Sequence, residues 1–387
     1  MKIERKLWDI VEKYYKIIFI VVISMIGIWI RFSGKDFISR DMTHYLIPWY
    51  DEFKKTGLKG LSSQIGDYSL LYQTMIALFT YINIKNVYMY KILSCVFDFL
   101  LAFTCGYTLC GLKGKNCKND ITTFSITYTV VLFIPTVILN SSVWGQCDSI
   151  YVTFVIWTIY FLYKEKYRKA FIFLGIAFAF KLQSIFIIPI VLYMYFTKKK
   201  FSILNLGYTV LALWLSGIGG YINGRSIWAV FDIYMNQAKE HQKMYIGYPS
   251  FWLIVGSDYV LLKHIAILLT VVILGVGLYL VLSEKKKIDT LESYLNMLCW
   301  SVWSMILFLP AMHERYSYML DIMLVMLCIY KGRKYLCYAI VEMLLSLTTY
   351  GQYLFNNGQL CAKMGIINLI LWCIFTCVVF NVDLKEK

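Results

Sequence analysis

Long apolar runs separated by short polar segments dominate the chain. A transmembrane helix needs about 20 mostly apolar residues, and many of these runs approach that length. The nearly charge-free runs cover residues 17–30, 121–139, 149–163, 201–221, 264–283, 293–309, 316–330, 343–350 and 364–382, and a further run over 88–112 contains only Lys91 and Asp98. The pattern predicts an all-α integral membrane protein.

Two segments decide how many times the chain crosses the membrane. Residues 68–84 are at the short limit for a span, and residues 170–197 are interrupted by Lys181. We interpret the first segment as interfacial and the second as a helical hairpin that turns at Lys181. About twelve spans result, with both termini in the cytoplasm.

The distribution of basic residues supports this assignment, because cytoplasmic loops of membrane proteins are enriched in Lys and Arg. The predicted cytoplasmic segments contain 21 of them, against three in the short outer loops, Lys181, Arg315 and Lys363. Changing either assignment alone would invert every later loop and remove the bias. The cytoplasmic clusters are Lys2, Arg5 and Lys6; Lys113, Lys115 and Lys118; Lys164, Lys166, Arg168 and Lys169; Lys198, Lys199 and Lys200; Lys285, Lys286 and Lys287; Lys331, Arg333 and Lys334; and Lys385 and Lys387.

Two outer loops are long, about residues 31–86 and 222–258, within a single polytopic membrane domain over 1–387. In the first, Pro48 can open a short helix with Asp51 and Glu52 in its first turn, Lys54 and Lys55 in its last turn and Gly57 just beyond its end. Trp49, Tyr50 and Phe53 would give this helix an apolar face for the membrane interface. The first outer loop is therefore predicted to contain interfacial helices.

Composition agrees with the apolar pattern and narrows the class of protein. The chain is 59% hydrophobic and 16% charged, with a mean hydropathy of +0.62, whereas soluble domains are about 25% charged. An ordinary cytosolic enzyme, a disordered chain and a fibrous protein are excluded. The net charge of +15 is explained by cytoplasmic loops, so we expect no nucleic-acid partner.

Polar residues crowd the ends of spans on one side of the predicted topology. They come from distant parts of the sequence, so their shared membrane face is the main functional signal. The five groups are Arg40-Asp41 with Pro48-Trp49-Tyr50; Gly66-Asp67-Tyr68; the stretch from Asn140 to Asp148; Lys181-Leu182-Gln183; and His313-Glu314-Arg315-Tyr316. Ionisable groups at membrane depth are functional by default.

Several kinds of chemistry lack their motifs. The sequence has no phosphate-binding GxxxxGK[ST] loop, no dinucleotide fingerprint, no HExxH or Cys/His cluster and no GxSxG elbow. We therefore expect no cofactor and no metal. An acidic residue beside cations at the outer surface suits a lipid-phosphate donor, since the carboxylate can accept a proton while Lys or Arg offsets charge on the leaving phosphate.

The order of motifs resembles a known family. "DMTHYLIPWY" begins at Asp41, "GDYSLLY" at Gly66, "NSSVWGQCDSIY" at Asn140, "KLQSIFIIP" at Lys181 and "HERYSYML" at His313. Together they resemble the bacterial relatives of the second GPI mannosyltransferase (the PIG-V-like family) within the GT-C superfamily of polytopic glycosyltransferases. The chain departs from that family's frequent Pro-Pro at Ser69-Leu70.

The resemblance implies a polyprenyl-phosphate sugar donor, a glycan or lipid-linked acceptor, inversion at the sugar carbon and catalysis on the outer face of the cell membrane. It maps the catalytic base onto Asp41, with Asp148 in reserve. We assign Arg315 and Lys181 to the donor phosphate. The residues expected to line the sugar or acceptor site are Trp144, Gln146, Asp148, Gln183, His313, Glu314 and Tyr316.

Two rival functions share the membrane location. A transporter or flippase for lipid-linked glycans would explain the spans and charges, but we find no matching broken helices in inverted repeats. A polysaccharide polymerase or ligase would be expected to have its main outer loop late in the chain. Three acidic residues within spans, Asp98, Asp321 and Glu342, are interpreted as structural polar contacts, pairing with Lys91 or with each other.

Overall fold

The computed structural model describes residues 2–114, 120–283, 288 and 290–380. The protein is 79% helical, which confirms the all-α prediction. Its helices are α1 (Lys2–Ser33), α2 (Ile47–Thr56), α3 (Leu70–Phe79), α4 (Asn86–Leu112), α5 (Ile121–Leu132), α6 (Pro135–Ile138), α7 (Asp148–Tyr163), α8 (Tyr167–Phe180), α9 (Ile188–Lys198), α10 (Leu206–Leu215), α11 (Ile218–Ile222), α12 (Ala229–Glu240), α13 (Trp252–Val255), α14 (Tyr259–Ser283), α15 (Leu291–Phe308), α16 (Tyr318–Lys331), α17 (Leu336–Phe355) and α18 (Ala362–Phe380).

Short helical turns and two short strands connect these helices. The turns are Met42–Leu46, Gly57–Ser62, Leu139–Trp144, Leu182–Ile187, Ile203–Asn205 and Arg333–Tyr335. Strand β1 (Tyr245–Ile246) pairs in parallel with β2 (Met312–His313), with Tyr245 opposite Met312 and Ile246 opposite His313. This pairing joins the second long loop to the His-Glu-Arg segment.

Only some of the predicted spans are single long helices. Among the described residues, four helices are long and apolar enough to cross a membrane, namely α1, α4, α14 and α18. A fifth span results if the segments Ile121–Leu132 and Pro135–Trp144, bent by 55°, count as one. Pro135 explains that break, because proline removes a backbone donor and clashes with the preceding turn. The number of spans therefore stays a prediction.

The predicted span over 201–221 is also divided. Helix α10 ends at Leu215 and α11 begins at Ile218 after Gly217. The Tyr221 hydroxyl donates to the Trp214 carbonyl at 3.0 Å, which joins the two helices across the break. The sequence pattern could not reveal this break, because both pieces are apolar.

Helix α4 lies at the centre of one half of the bundle, packing against α5 and α7. Helix α7 packs against α8, and α8 in turn packs against α10. In the other half, α15 packs against α14, α16 and α18. Helix α16 also contacts α5 and α4, which connects the two halves.

The interruption predicted at Lys181 is present. Helix α8 ends at Phe180, and α9 begins at Ile188 after a helical turn. Lys200, beyond the end of α9, places its Nζ 2.6 Å from an oxygen of Glu165, just before α8. The two ends of the segment are therefore adjacent, as a hairpin requires.

Helices α2 and α3 of the first long loop are each ten residues long, about half the length of a span. Helix α2 has Pro48 in its first turn, Lys54 and Lys55 in its last, and Gly57 at its end with φ of +60°, as predicted. The predicted acidic first turn is wrong, because the helix begins at Ile47 and Asp51 and Glu52 therefore lie beyond its first turn. The predicted apolar face for the membrane interface is corrected, however. Tyr50 and Phe53 are each only 1% exposed, so they pack into the protein core.

The acidic residues within spans do make structural contacts, but their predicted partners are wrong. Asp98 accepts from Arg31 Nε at 2.7 Å, while Lys91 donates to the carbonyls of Gly34 and Phe37. Asp321 accepts from Thr136 and Ser346. Glu342 accepts from Tyr248 at 2.9 Å. These partners lie far apart in the sequence and come together only through helix packing, so the sequence alone does not identify them.

Candidate active site

The polar groups predicted to converge do line one cavity, of about 800 Å³. Its walls come from the first and second long loops, the Lys181 turn, the His-Glu-Arg segment and the end of α17. The predicted residues that line it are Asp41, Gln146, Lys181, Gln183, His313, Glu314, Arg315 and Tyr316. Trp144 and Asp148 lie behind this wall and contact residues within it.

Asp41 is fixed by three donors from two distant segments. One carboxylate oxygen accepts from Trp144 Nε1 at 2.9 Å and from Gln146 Nε2 at 2.8 Å. The other accepts from the Tyr353 hydroxyl. The Arg315 guanidinium lies 3.7 Å from the Asp41 carboxylate. This acid therefore has a defined orientation while its side chain stays 14% exposed to the cavity.

The Trp-Gly-Gln segment depends on its glycine to present both donors. Gly145 follows the turn Leu139–Trp144 with φ of +81°, in the left-handed region that glycine adopts without strain. A Cβ at this position would lie 2.6 Å from the Met42 side chain. The close approach of this turn to the Asp41 segment explains why glycine separates Trp144 and Gln146.

Asp148 differs from Asp41 in being sealed inside the protein. Its side chain is 1% exposed and forms an ion pair with Lys181 Nζ. Its second oxygen accepts from Asn140 Nδ2 at 2.8 Å, and Arg315 Nε lies 3.8 Å away. Lys181, predicted to contact the donor phosphate, is thus held by Asp148 at the cavity wall.

Arg315 lies between three carboxylates and an aromatic ring. Its guanidinium is 3.3 Å from Glu314 and stands 5.2 Å from the centre of the Trp144 ring. Burial alone would lower the pKa of Arg315, but Glu314, Asp148 and Asp41 raise it well above its usual value. The three carboxylates therefore favour the charged form of Arg315 at the wall of the cavity.

The His-Glu-Arg segment is held in place by the second long loop. His313 is the last residue of β2 and pairs with Ile246 of β1. Its ring centre lies 4.6 Å from that of His241, and its Nδ1 lies 3.7 Å from the Glu314 carboxylate. Burial lowers the pKa of His313 despite the opposing effect of Glu314, so the neutral imidazole dominates at neutral pH.

Sequence reasoning missed several residues of the site. Tyr353 was not proposed, although it donates to Asp41 and stacks on Trp144 with 4.5 Å between ring centres. Tyr68, which belongs to one of the five predicted groups but was given no role, donates to Gln146 at 2.7 Å. His241 and Lys243 line the cavity and were not predicted. The available signal was weak, because a tyrosine near a span end is usually an interface anchor.

The acidic and histidine side chains do not form a metal cluster in the described part of the chain. No group of three or more His, Cys, Asp or Glu residues there is placed to hold an ion. The residues present at the cavity instead combine carboxylates with Arg315 and Lys181. Such a site is suited to proton transfer next to an anionic leaving group.

The described part of the chain combines apolar helices long enough to span a membrane with an acidic residue, Asp41, that lies beside the Arg315 guanidinium at the cavity. Residues 141–248 match the family described as Mannosyltransferase (PIG-M), a GT-C type family. This match confirms the GT-C resemblance, through a mannosyltransferase family other than the one named from the motifs. The matched region contains Trp144, Asp148 and Lys181 but neither Asp41 nor Arg315. No curated protein matches the chain.

Proposed function

We propose that the protein transfers a sugar from a polyprenyl-phosphate donor to a glycan or lipid-linked acceptor at the outer face of the membrane, with inversion and with Asp41 as general base. The observation that carries this proposal is the Asp41 carboxylate, oriented by Trp144, Gln146 and Tyr353 at the wall of the cavity. The match of residues 141–248 to a mannosyltransferase family supports glycosyl transfer.

Exposure favours Asp41 over Asp148 as the base. A general base must come within hydrogen-bond distance of the proton it removes. Asp41 is 14% exposed and faces the cavity, whereas Asp148 is 1% exposed and paired with Lys181. An acceptor hydroxyl can therefore reach Asp41 without disturbing the ion pair behind it.

In the reaction, the acceptor oxygen bonds to the anomeric carbon while the bond from that carbon to the phosphate oxygen breaks. The acceptor proton passes to Asp41, and the departing polyprenyl phosphate gains negative charge. Arg315, 3.7 Å from Asp41, is positioned to offset that charge, with Lys181 as a second cation. One direct displacement of this kind inverts the anomeric carbon.

The remaining predicted residues fit the sugar or the acceptor. Gln146, Gln183, His313, Glu314 and Tyr316 line the cavity and offer both donors and acceptors to hydroxyl groups. Trp144 and Asp148 do not line the cavity. Trp144 orients Asp41, and Asp148 orients Lys181. No residue of this set requires a metal ion for the role proposed.

Transfer by the purified protein is the direct test. We expect radiolabelled sugar to move from at least one polyprenyl-phosphate hexose, within a panel that includes mannose, to an acceptor in a membrane extract. The same panel with the sugar nucleotides is the control and is expected to give no transfer. A lipid-linked sugar that crosses vesicle bilayers without forming a new glycosidic bond would instead support the flippase.

The proposed topology has about twelve spans, both termini in the cytoplasm and the cavity on the outer face. The Lys181 hairpin and the short helices α2 and α3 support this arrangement. Lys115, Lys118, Lys285, Lys286, Lys287, Lys385 and Lys387, which contribute to the charge bias, lie outside the described residues. The bias itself remains the main argument for the orientation.

Cysteine labelling on intact cells tests the orientation. In a variant without its eleven native cysteines, we expect Lys199→Cys and Arg333→Cys to resist a membrane-impermeant reagent. Lys59→Cys and Gln242→Cys, in the two long outer loops, are expected to react. Reaction at either of the first two positions before the cells are broken would contradict the twelve-span arrangement.

A further inference from the structure

A second cavity, of about 770 Å³, lies between the first outer loop and α12. It shares Asp67 and Gln237 with the candidate active site, so the two cavities meet at these residues. Its volume is within the range of about 300–1,000 Å³ typical of ligand pockets. We call it the side cleft. It is lined by Ser62, Ser63, Gln64, Gly66, Asp67, Arg225, Ser226, Ala229, Asp232, Ile233, Asn236 and Gln237.

One wall of the side cleft is a single face of α12. Positions 229, 232, 233, 236 and 237 recur at helical spacing, so their side chains share one side of the helix. The opposite wall is the segment over 62–67, which follows the turn Gly57–Ser62. The side cleft is therefore formed where the two long outer loops meet.

Arg225 joins the two walls at the base of the side cleft. Its guanidinium donates to the Ser63 carbonyl at 2.9 Å and also to the side chain of Gln64. Gln237, at the other end, donates to the Asp67 carbonyl. These bonds between the loops hold the walls at a fixed separation, so the side cleft is built before any ligand enters.

The lining of the side cleft suits a ligand rich in hydroxyl groups. Asp232 and Asn236 are exposed, and in the described part of the chain their side chains make no hydrogen bond. The hydroxyl groups of Ser62 and Ser226 add further donors and acceptors, whereas the Gln64 amide and the Gln237 Nε2 already bond within the protein. The apolar members, Ala229 and Ile233, are buried, which leaves little apolar surface for a lipid chain.

The charges of the side cleft argue against an anionic ligand. Two carboxylates, Asp67 and Asp232, line it, and Arg225 is the cation among its described lining residues. That cation already donates to Ser63 and Gln64. A phosphate group would thus meet net negative charge, whereas a neutral saccharide would not.

We propose that the side cleft binds the inner sugars of an oligosaccharide acceptor, while the terminal sugar of that acceptor reaches Asp41. This inference rests on the proposed function for the identity of the acceptor. The side cleft and the catalytic cavity share Asp67 and Gln237 as lining residues, so the two cavities are adjacent. The protein accordingly extends a chain of at least two sugars and recognises more than its terminal unit.

Saccharide binding to the purified protein tests this proposal without requiring transfer. Paired methyl glycosides of mono- and trisaccharides of mannose, glucose and galactose are titrated by saturation-transfer NMR. We expect one trisaccharide to bind at least about 10-fold more tightly than its monosaccharide, because it gains several hydrogen bonds in the side cleft. That preference should fall to near unity in Asp232→Ala/Asn236→Ala.

Two further variants are titrated beside Asp232→Ala/Asn236→Ala, one as a control and one as a more conservative replacement. Gln242→Ala removes an exposed amide in the same loop but outside both cavities and is expected to keep the trisaccharide preference. If the Asp232→Ala/Asn236→Ala variant unfolds at a lower temperature than the wild type, Asp232→Asn/Asn236→Ser takes its place in the titration. This second double variant keeps side-chain volumes closer to those of the wild type. No trisaccharide preference in any series, or a preference that survives both double variants, would overturn the proposal. If the trisaccharide preference depends on the side cleft but no donor supports sugar transfer, the proposed function is contradicted and the saccharide-binding role of the side cleft is not.

Discussion

Asp41→Asn is expected to lower the rate of sugar transfer by about 10²–10⁴-fold, the usual effect of losing a positioned general base. The substitution keeps the size of the side chain and removes the proton acceptor. Single-turnover transfer from a radiolabelled polyprenyl-phosphate hexose measures the chemical step directly. Donor binding, measured by equilibrium titration, should change little.

The geometry explains why the Asp41→Asn variant should fold normally. The amide oxygen of asparagine can still accept from Trp144 Nε1 and Gln146 Nε2, which both bond to one oxygen of Asp41. The amide nitrogen would then face the Tyr353 hydroxyl, which can rotate to accept a hydrogen bond. We therefore expect the thermal stability of the variant to match that of the wild type.

Variants of two neighbouring residues make the interpretation specific. Arg315→Ala removes a cationic phosphate partner and should weaken donor binding, an effect that Asp41→Asn lacks. Asp148→Asn should act mainly on stability, because Asp148 is buried against Lys181. If Asp41→Asn transfers sugar within a few-fold of the wild-type rate while Asp148→Asn does not, the base is Asp148.

The convergence of distant motifs could be predicted because membrane topology restricts where residues lie. The basic clusters predict the orientation of the loops, and that predicted orientation alone assigns Asp41, Lys181 and Arg315 to one face. The structure then brings all three to the wall of one cavity. The break at Lys181 could be inferred for the same reason, since the charge bias fails without it.

Specific side-chain partners could not be predicted from the sequence. Tyr353 is one of 32 tyrosines, and nothing in its local sequence distinguishes a residue that donates to Asp41 from an interface anchor. Arg31 pairs with Asp98, 67 positions away, because α1 and α4 both pack against α5. The break between α10 and α11 could not be predicted because the residues on both sides of it are apolar.

The buried Asp148–Lys181 ion pair is expected to dominate the stability of the site. Removing one partner of a buried pair costs about 3–5 kcal/mol in the free energy of unfolding, because the other charge is left uncompensated. Asp148→Asn should be the more damaging change, since it leaves both Lys181 and Arg315 without that carboxylate. Lys181→Met should cost less, because Asp148 keeps Asn140 and the Arg315 guanidinium, 3.8 Å away.

Chemical unfolding in mixed micelles, arranged as a double-mutant cycle over Asp148→Asn and Lys181→Met, measures this coupling. The double variant should be more stable than the sum of the two single losses predicts, because no unpaired charge from this pair remains. The exposed pair of Lys200 and Glu165, with side chains 53% and 44% exposed, is the matched control, and its cycle should give about 0–1 kcal/mol. If Lys181→Met destabilises the protein no more than Lys200→Met but weakens donor binding, Lys181 serves the donor phosphate rather than the fold, as its position in the motif order first suggested.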